Sequence, residues 1–253
     1  MRCNNFDFYI LIFDLIIMNI EGKTIIITGA ARIGQAIAEE LKNRGANLVI
    51  TYFANESEAG PFGFPVKADV SKKEDIENVV RVAKEKFGSV DALIHMASTY
   101  EKTDWGNFDE ASWDKTMNII AKSSILFGKI AGDEMAKNSG DIKGKMIFFS
   151  DWSVLARPYE DYLVYNTAKS AVVGLTKSLA KKLAPHILVN AVAPGPIIRP
   201  ADLSDAENEE AMAGTLLKKW GGADEIAKGV LYLLDADFVT GHILTIDGGR
   251  TIA

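Results

Sequence analysis

Thr24-Ile25-Ile26-Ile27-Thr28-Gly29-Ala30-Ala31-Arg32-Ile33-Gly34 is the stretch from which the fold can be read. A short, wholly apolar, β-branched run reads as a strand covered on both faces, and it breaks at Gly29 into a segment of helical period that opens at Ile33. Further short apolar runs follow at Asn47–Thr51, Ala92–Ile94, Met146–Phe149, Leu188–Ala193 and Ile243–Ile246, with a briefer one near Pro65–Lys67. Between them lie helical patterns at Ile33–Asn43, Lys72–Phe87, Ala111–Lys137, Tyr165–Leu183 and Ala223–Leu234. Alternation of this kind predicts an α/β fold, a single doubly wound parallel sheet of about seven strands with helices on both faces and its ligand site at the carboxyl ends of the strands. No Pro/Ser-rich linker or internal repeat divides the chain, so residues 19–253 are expected to form one domain.

Composition agrees. The 253 residues are 48% hydrophobic and 25% charged, with 21 Gly and 7 Pro, which excludes disordered, fibrous and disulfide-stapled classes. A net charge of −6 without a Lys/Arg stripe gives no footprint for nucleic acid. The single Cys3 can form no internal disulfide and has no neighbours at metal-ligand spacing, which fits a cytoplasmic protein without a structural metal. Residues 1–18 carry an apolar run that resembles a signal or a membrane span, but Asp7 and Asp14 interrupt it and no small-residue cleavage site follows. The segment is read as an extension, either upstream of a translation start at Met18 or packed on the fold or a partner subunit.

The first turn carries chemistry. Gly29 and Gly34 allow a tight bend and close backbone approach, and Ala31, Arg32 and Ile33 lead into a helix whose N-terminal N–H groups favour an anion such as a pyrophosphate. The second strand ends in Tyr52-Phe53-Ala54-Asn55, without the Asp or Glu that grips the ribose of NAD. Arg32, assisted by Asn55 or Ser57, could pair with a 2′-phosphate, so NADP is the expected cofactor, with NAD possible. Asp69 reads either as an acceptor for an adenine amino group or as a cap on the helix opened by Ser71. Further along, Tyr165 and Lys169 stand at i and i+4 on one helix face, where a cation near a phenol favours phenolate and acid–base work.

The glycine turn, Tyr165 to Lys169, Asn190-Ala191-Val192-Ala193-Pro194-Gly195-Pro196-Ile197, and Val239-Thr240-Gly241 with Asp247-Gly248-Gly249 come in the order and spacing of one family. From about Lys23 to the C-terminus the sequence resembles the short-chain dehydrogenases/reductases. That resemblance implies a Rossmann-type subunit moving hydride between NAD(P)H and a carbonyl, imine or alcohol. It makes Tyr165 the proton donor in reduction, and Lys169 the group that lowers the Tyr165 pKa and holds the nicotinamide ribose. It also sets Pro194, Gly195 and Ile197 at the nicotinamide, Asp69, Val70 and Ala97 at adenine and its ribose, and Ser98 beside them in the cofactor set.

The chain departs from the family pattern at four places. The turn is one residue short, with Arg32 where a middle Gly is normal, and His95-Met96-Ala97-Ser98 replaces Asn-Asn-Ala-Gly. Ile120 stands where an Asn helps to hold a water beside the active-site Lys. Asp151 occupies the place of the substrate-orienting Ser, although Ser150 or Ser153 could take that place if the stretch to Tyr165 is one residue long. Basic residues in the turn and an Asp after the fifth strand are similar to pteridine-reductase-like members. An ionised carboxyl there would repel a developing alkoxide, favouring a nitrogen-bearing or polyhydroxylated substrate.

Trp152, Arg157 and Tyr159, with Tyr162, form an aromatic group with a fixed cation that could stack on a flat ring and fork onto an oxygen, or could pack an interface. Residues at about 198–220 resemble the family's substrate lid, and the acids Asp202, Asp205, Glu207, Glu209 and Glu210 would disfavour strongly anionic thioesters unless they are simply a solvated face. Family members pair the helices corresponding to Ala111–Lys137 and Tyr165–Leu183, so a homotetramer or homodimer is implied. The leading expectation is reduction of a small carbonyl or cyclic imine. Alternatives are a 3-oxoacyl thioester reductase, a sugar or alcohol dehydrogenase, or a cofactor-binding protein with impaired catalysis.

Overall fold

The computed structural model describes residues 20–201 and 203–253; the extension over residues 1–18 and the lid residue Asp202 lie outside the described residues. Seven strands form one sheet: β1 (Thr24–Thr28), β2 (Asn47–Tyr52), β3 (Phe64–Lys67), β4 (Ala92–His95), β5 (Gly144–Phe149), β6 (Ile187–Pro194) and β7 (Ile243–Ile246). Their order is β3-β2-β1-β4-β5-β6-β7 and every pairing is parallel. The order reverses between β1 and β4, which opens a crevice at the carboxyl ends of those strands.

Period-2 alternation within each strand feeds two cores. Ile26, Met146 and Phe148 point to one face with Phe127 and Val172, while Ile25, Ile27, Ile147 and Phe149 point to the other with Ile37, Leu41 and Val230. The first face is covered by α2 (Lys73–Phe87), α4 (Ser123–Met135) and α5 (Leu163–Leu183), and the second by α1 (Ile33–Asn43) and α7 (Ala223–Asp235). Phe127 and Phe148 are fully buried, each removing about 2–3 kcal/mol of apolar surface cost from water. α6 (Asp205–Ala213) contributes no buried residue and is held instead by a capping box between Ser204 and Glu207.

The helix expected over Ala111–Lys137 is not continuous: α3 (Glu110–Met117) passes through a π-helical turn at Asn118–Lys122 into α4. The helix expected to open at Ser71 begins at Lys73, because Asp69 Oδ1 accepts from the Ser71 N–H and hydroxyl and holds an Asx turn ahead of it.

Candidate active site

The crevice is a cleft of about 620 Å³ lined by strand ends and the loops that follow them. Gly29, Ala31, Arg32 and Ile33 form one wall, Ser98 and Tyr100 the next, and Asp151, Trp152, Tyr159, Tyr165 and Lys169 the floor. Pro194, Gly195 and Ile197 close the far side. The structure thus brings together residues that are far apart in sequence. Asn55, Asp69, Val70, Ala97 and Arg157 are not among the lining residues.

Local geometry accounts for four of these, and Val70 is buried in the first core. The Asn55 side chain accepts from the Ser57 N–H and hydroxyl, which fixes a 3₁₀ turn. Asp69 serves its own turn in the same way. Ala97 lies directly behind the glycine turn, since a Cβ on Gly29 would meet the Ala97 nitrogen at 2.8 Å. Arg157 is exposed, and the cation beside Trp152 in the cleft is Arg250, from the turn after β7.

The first turn fits a bound dinucleotide by its chemistry. Gly29 has φ +73° and no room for a side chain, and α1 starts without a side-chain cap and without an acidic residue in its first turn. An uncapped helix N-terminus at the cleft wall presents backbone N–H groups and the positive end of the dipole to a phosphate. Arg32 carries the strain of the shortened turn at φ 55° and ψ −101°, a conformation that favours glycine. Its guanidinium donates to the Ile198 carbonyl at 3.3 Å, so it bridges the cleft toward the segment after β6 and does not join Asn55.

At the floor, α5 sets Tyr165 and Lys169 one turn apart, but they do not touch through the phenol oxygen. The Tyr165 hydroxyl donates to Asp151 Oδ2 at 2.7 Å, and the Lys169 ammonium donates to the Phe149 carbonyl at 2.9 Å. Burial, then the Asp151 charge and hydrogen bond, push the Tyr165 pKa well above its usual value. The Lys169 ammonium stands 5.7 Å from the centre of the Tyr165 ring, so Asp151 and not Lys169 is the polar group on the phenol oxygen. Burial lowers the Lys169 pKa to about 8, with Asp151 opposing. Ser150 donates its hydroxyl to the Lys169 carbonyl and Ser153 is fully buried off the cleft, so among these three residues Asp151 alone meets Tyr165.

Behind the floor, His95 is buried between Thr28 Oγ1 at 2.7 Å and Ser123 Oγ at 2.8 Å. Its pKa falls to about 3 through burial, so the ring is neutral. Thr28 Oγ1 accepts from the Met96 and Ala97 N–H groups and must give its proton to Nδ1, while Ser123 gives its own to the Ile119 carbonyl and accepts from Nε2–H. Both ring nitrogens of His95 are thus satisfied by hydroxyls. Ile120 is buried in the π turn, and its carbonyl accepts from Ser124.

Tyr100 and Arg250 are among the cleft residues that escaped sequence reasoning. Tyr100 stacks on Tyr162 at 4.3 Å and meets Tyr165 edge-on at 4.9 Å. Arg250 lies over the Trp152 ring at 4.7 Å, and Trp152 donates Nε1–H to the Tyr159 hydroxyl at 2.8 Å. A polar residue following the glycines after β7 was the only available signal for Arg250. The acids of α6 face solvent, Asp205 pairing with Arg199 and Glu207 with Ser204, while the cleft side of this segment shows Leu203 and Ala211. Among the described residues there is no group of three His, Cys, Asp or Glu that could hold a metal, and no helix is long and apolar enough to cross a membrane.

Comparison with known proteins places this site in a family. The family model described as enoyl-(acyl carrier protein) reductase matches residues 29–251. An NAD-dependent glycerol dehydrogenase of Listeria innocua is 33% identical, over 92% of this chain and 96% of its own. A 3-oxoacyl-[acyl-carrier-protein] reductase of Vibrio cholerae is 32% identical, over 92% of this chain and 98% of its own. The solved short-chain dehydrogenase/reductase of Serratia marcescens superposes with a TM-score of 0.84 at 28% identity, covering 92% of this chain and 99% of that one. With its all-parallel seven-stranded sheet and the cleft at the strand ends, the chain belongs to the short-chain dehydrogenase/reductase family of NAD(P)-binding oxidoreductases.

Proposed function

We propose that the protein is an NADPH-dependent reductase of a small carbonyl or cyclic imine, with Tyr165 as general acid and Lys169 and Asp151 as its partners. The observation that carries this reading is the Tyr165 hydroxyl at the floor of the cleft, which donates to Asp151 Oδ2 at 2.7 Å. When bound, the nicotinamide supplies a hydride to the substrate carbon. Tyr165 Oη then gives its proton to the substrate oxygen or nitrogen, exchanging its bond to Asp151 for one to the substrate. Lys169, fixed by the Phe149 carbonyl below the phenol, supplies positive charge that favours the phenoxide left behind. Asp151 can accept from a substrate N–H, which favours a nitrogen-bearing ring, as in pteridine-reductase-like members, over a simple ketone.

Gly29, Ala31, Arg32, Ile33 and Ser98 on one side and Pro194, Gly195 and Ile197 on the other are the cofactor-binding residues in this reading; Asn55, Asp69, Val70 and Ala97 would meet the adenosine half beyond the cleft wall. NADPH is preferred because β2 ends without a ribose-gripping acid and Glu56 beside it is tied to the Tyr52 hydroxyl. A fluorescence titration with NADPH and NADH side by side tests this: tighter NADPH binding that weakens with salt supports it, and tighter NADH binding overturns the preference. The named activity of the glycerol dehydrogenase relative favours a second reading, oxidation of a polyol on the same residues. Kinetics on a panel of imines, aldehydes, polyols and 3-oxoacyl thioesters separates the two. A cytoplasmic homotetramer or homodimer, paired through α3–α4 and α5, completes the proposal, and light scattering showing a stable monomer would contradict it.

A further inference from the structure

Arg250 is built into the cleft in a way that reducing a carbonyl does not by itself require. Its guanidinium carbon lies over the Trp152 ring, 4.7 Å from the ring centre, and packs closely on Gly214, where a Cβ would meet Nη1 at 2.7 Å and Cζ at 3.0 Å. Nη1 donates to the Ala211 carbonyl at 2.5 Å, so the cation ties the end of α6 to the cleft floor. Nε is buried without any hydrogen-bond partner, and Arg250 forms no ion pair among the described residues. A guanidinium whose far nitrogen is committed and whose Nε–Nη2 edge is free presents the side-on fork that matches a planar oxygen acceptor. A buried donor left unpaired is costly, which makes this edge a place where an acceptor is strongly favoured.

We infer that Arg250 is the specificity-determining anchor of the substrate: its Nε–Nη2 edge takes a carboxylate or conjugated carbonyl oxygen on the side of the substrate ring remote from the carbon being reduced. This rests on the oxidoreductase reading above and names its substrate class, a flat molecule with a reducible C=O or C=N at one end and an acceptor oxygen at the other. Trp152 and Tyr159 supply the stacking face beneath the ring.

The test compares 4-carboxybenzaldehyde, 4-carbamoylbenzaldehyde and 4-methylbenzaldehyde as substrates of wild type, Arg250→Gln and Arg250→Lys, with NADPH affinity measured on each. Binding of 4-carboxybenzyl alcohol and 4-methylbenzyl alcohol is followed in parallel by tryptophan fluorescence without cofactor. The expected result is at least a tenfold rise in KM for the carboxylate probe in Arg250→Gln, a smaller rise for the carbamoyl probe, no more than twofold for the methyl probe, and unchanged NADPH affinity. Arg250→Lys keeps a cation but not the fork, recovers less than half of the loss on a logarithmic scale, and carries the test should the Gln variant fail to fold. Equal KM ratios across the three probes, or wild-type preference for the methyl probe, would overturn the inference while leaving the oxidoreductase reading intact. Arg250-dependent binding of the carboxybenzyl alcohol with turnover of none of the aldehydes would uphold the anchor and count against that reading.

Discussion

Replacing Lys169 by Met is expected to stabilise the fold near neutral pH while removing activity, and the sign of the effect should invert with pH. Lys169 is fully enclosed, and burial takes its pKa from 10.5 to about 8. At about 1.4 kcal/mol per pH unit, keeping this ammonium charged at pH 7 costs about 3 kcal/mol of folding free energy. The variant escapes that cost but leaves the Phe149 carbonyl without its donor, a loss of about 1–3 kcal/mol. The balance at pH 7 is a variant about 1 kcal/mol more stable than wild type. Between pH 8 and 10.5 the unfolded chain binds a proton at Lys169 that the folded chain does not, so wild-type stability rises with pH through this window. By pH 9.5 wild type regains about 2 kcal/mol and becomes the more stable of the two. Urea unfolding of both proteins at pH 7, 8, 9 and 9.5, at one protein concentration, reads the difference directly. Parallel stability curves across this range would refute the buried-ammonium argument.

Asp151→Asn keeps an acceptor but removes the charge that, after burial, raises the Tyr165 pKa, so that pKa should fall; since reduction needs the phenol, the alkaline limb of kcat is expected to move to lower pH, with an unmoved limb counting against the pair. Arg32→Gly should relieve the strained turn and raise stability by about 1 kcal/mol in thermal unfolding, while weakening the salt dependence of NADPH binding. Gly29→Ala should cost about 1–3 kcal/mol or more and abolish cofactor binding by titration, because φ is +73° and the new Cβ would meet the Ala97 backbone at 2.8–2.9 Å.

What could be read from the sequence was set by local physics. Continuous apolar runs such as Thr24–Ile27 and Met146–Phe149 are covered on both faces, and the structure extends them by no more than two residues. Tyr165 and Lys169 were legible because spacing of one helical turn needs no tertiary information to place two side chains together. The π turn at Asn118–Lys122 was not, since one widened turn leaves the apolar pattern on either side almost unchanged. Asn55 and Asp69 satisfy their nearest backbone N–H groups, a local competition that a longer-range functional assignment overlooks. Arg157 and Arg250 show the reverse failure. Arg157 is close to Tyr159 in sequence but exposed, whereas Arg250 reaches Trp152 only because β7 delivers the C-terminal turn to the mouth of the cleft.

In the proposed reaction Tyr165 at the cleft floor gives its proton as hydride arrives from the cofactor. NADPH carrying deuterium at the transferable C4 position, a panel of small carbonyls and cyclic imines, and mass analysis of the products test it most directly in wild type and Tyr165→Phe. The expected result is a product one mass unit heavier for at least one panel member in wild type. In Tyr165→Phe the expected rate is at least about a hundredfold lower, from loss of the general acid, with NADPH affinity unchanged. Cofactor bound without deuterium reaching any product, or equal rates in the two proteins, would contradict it.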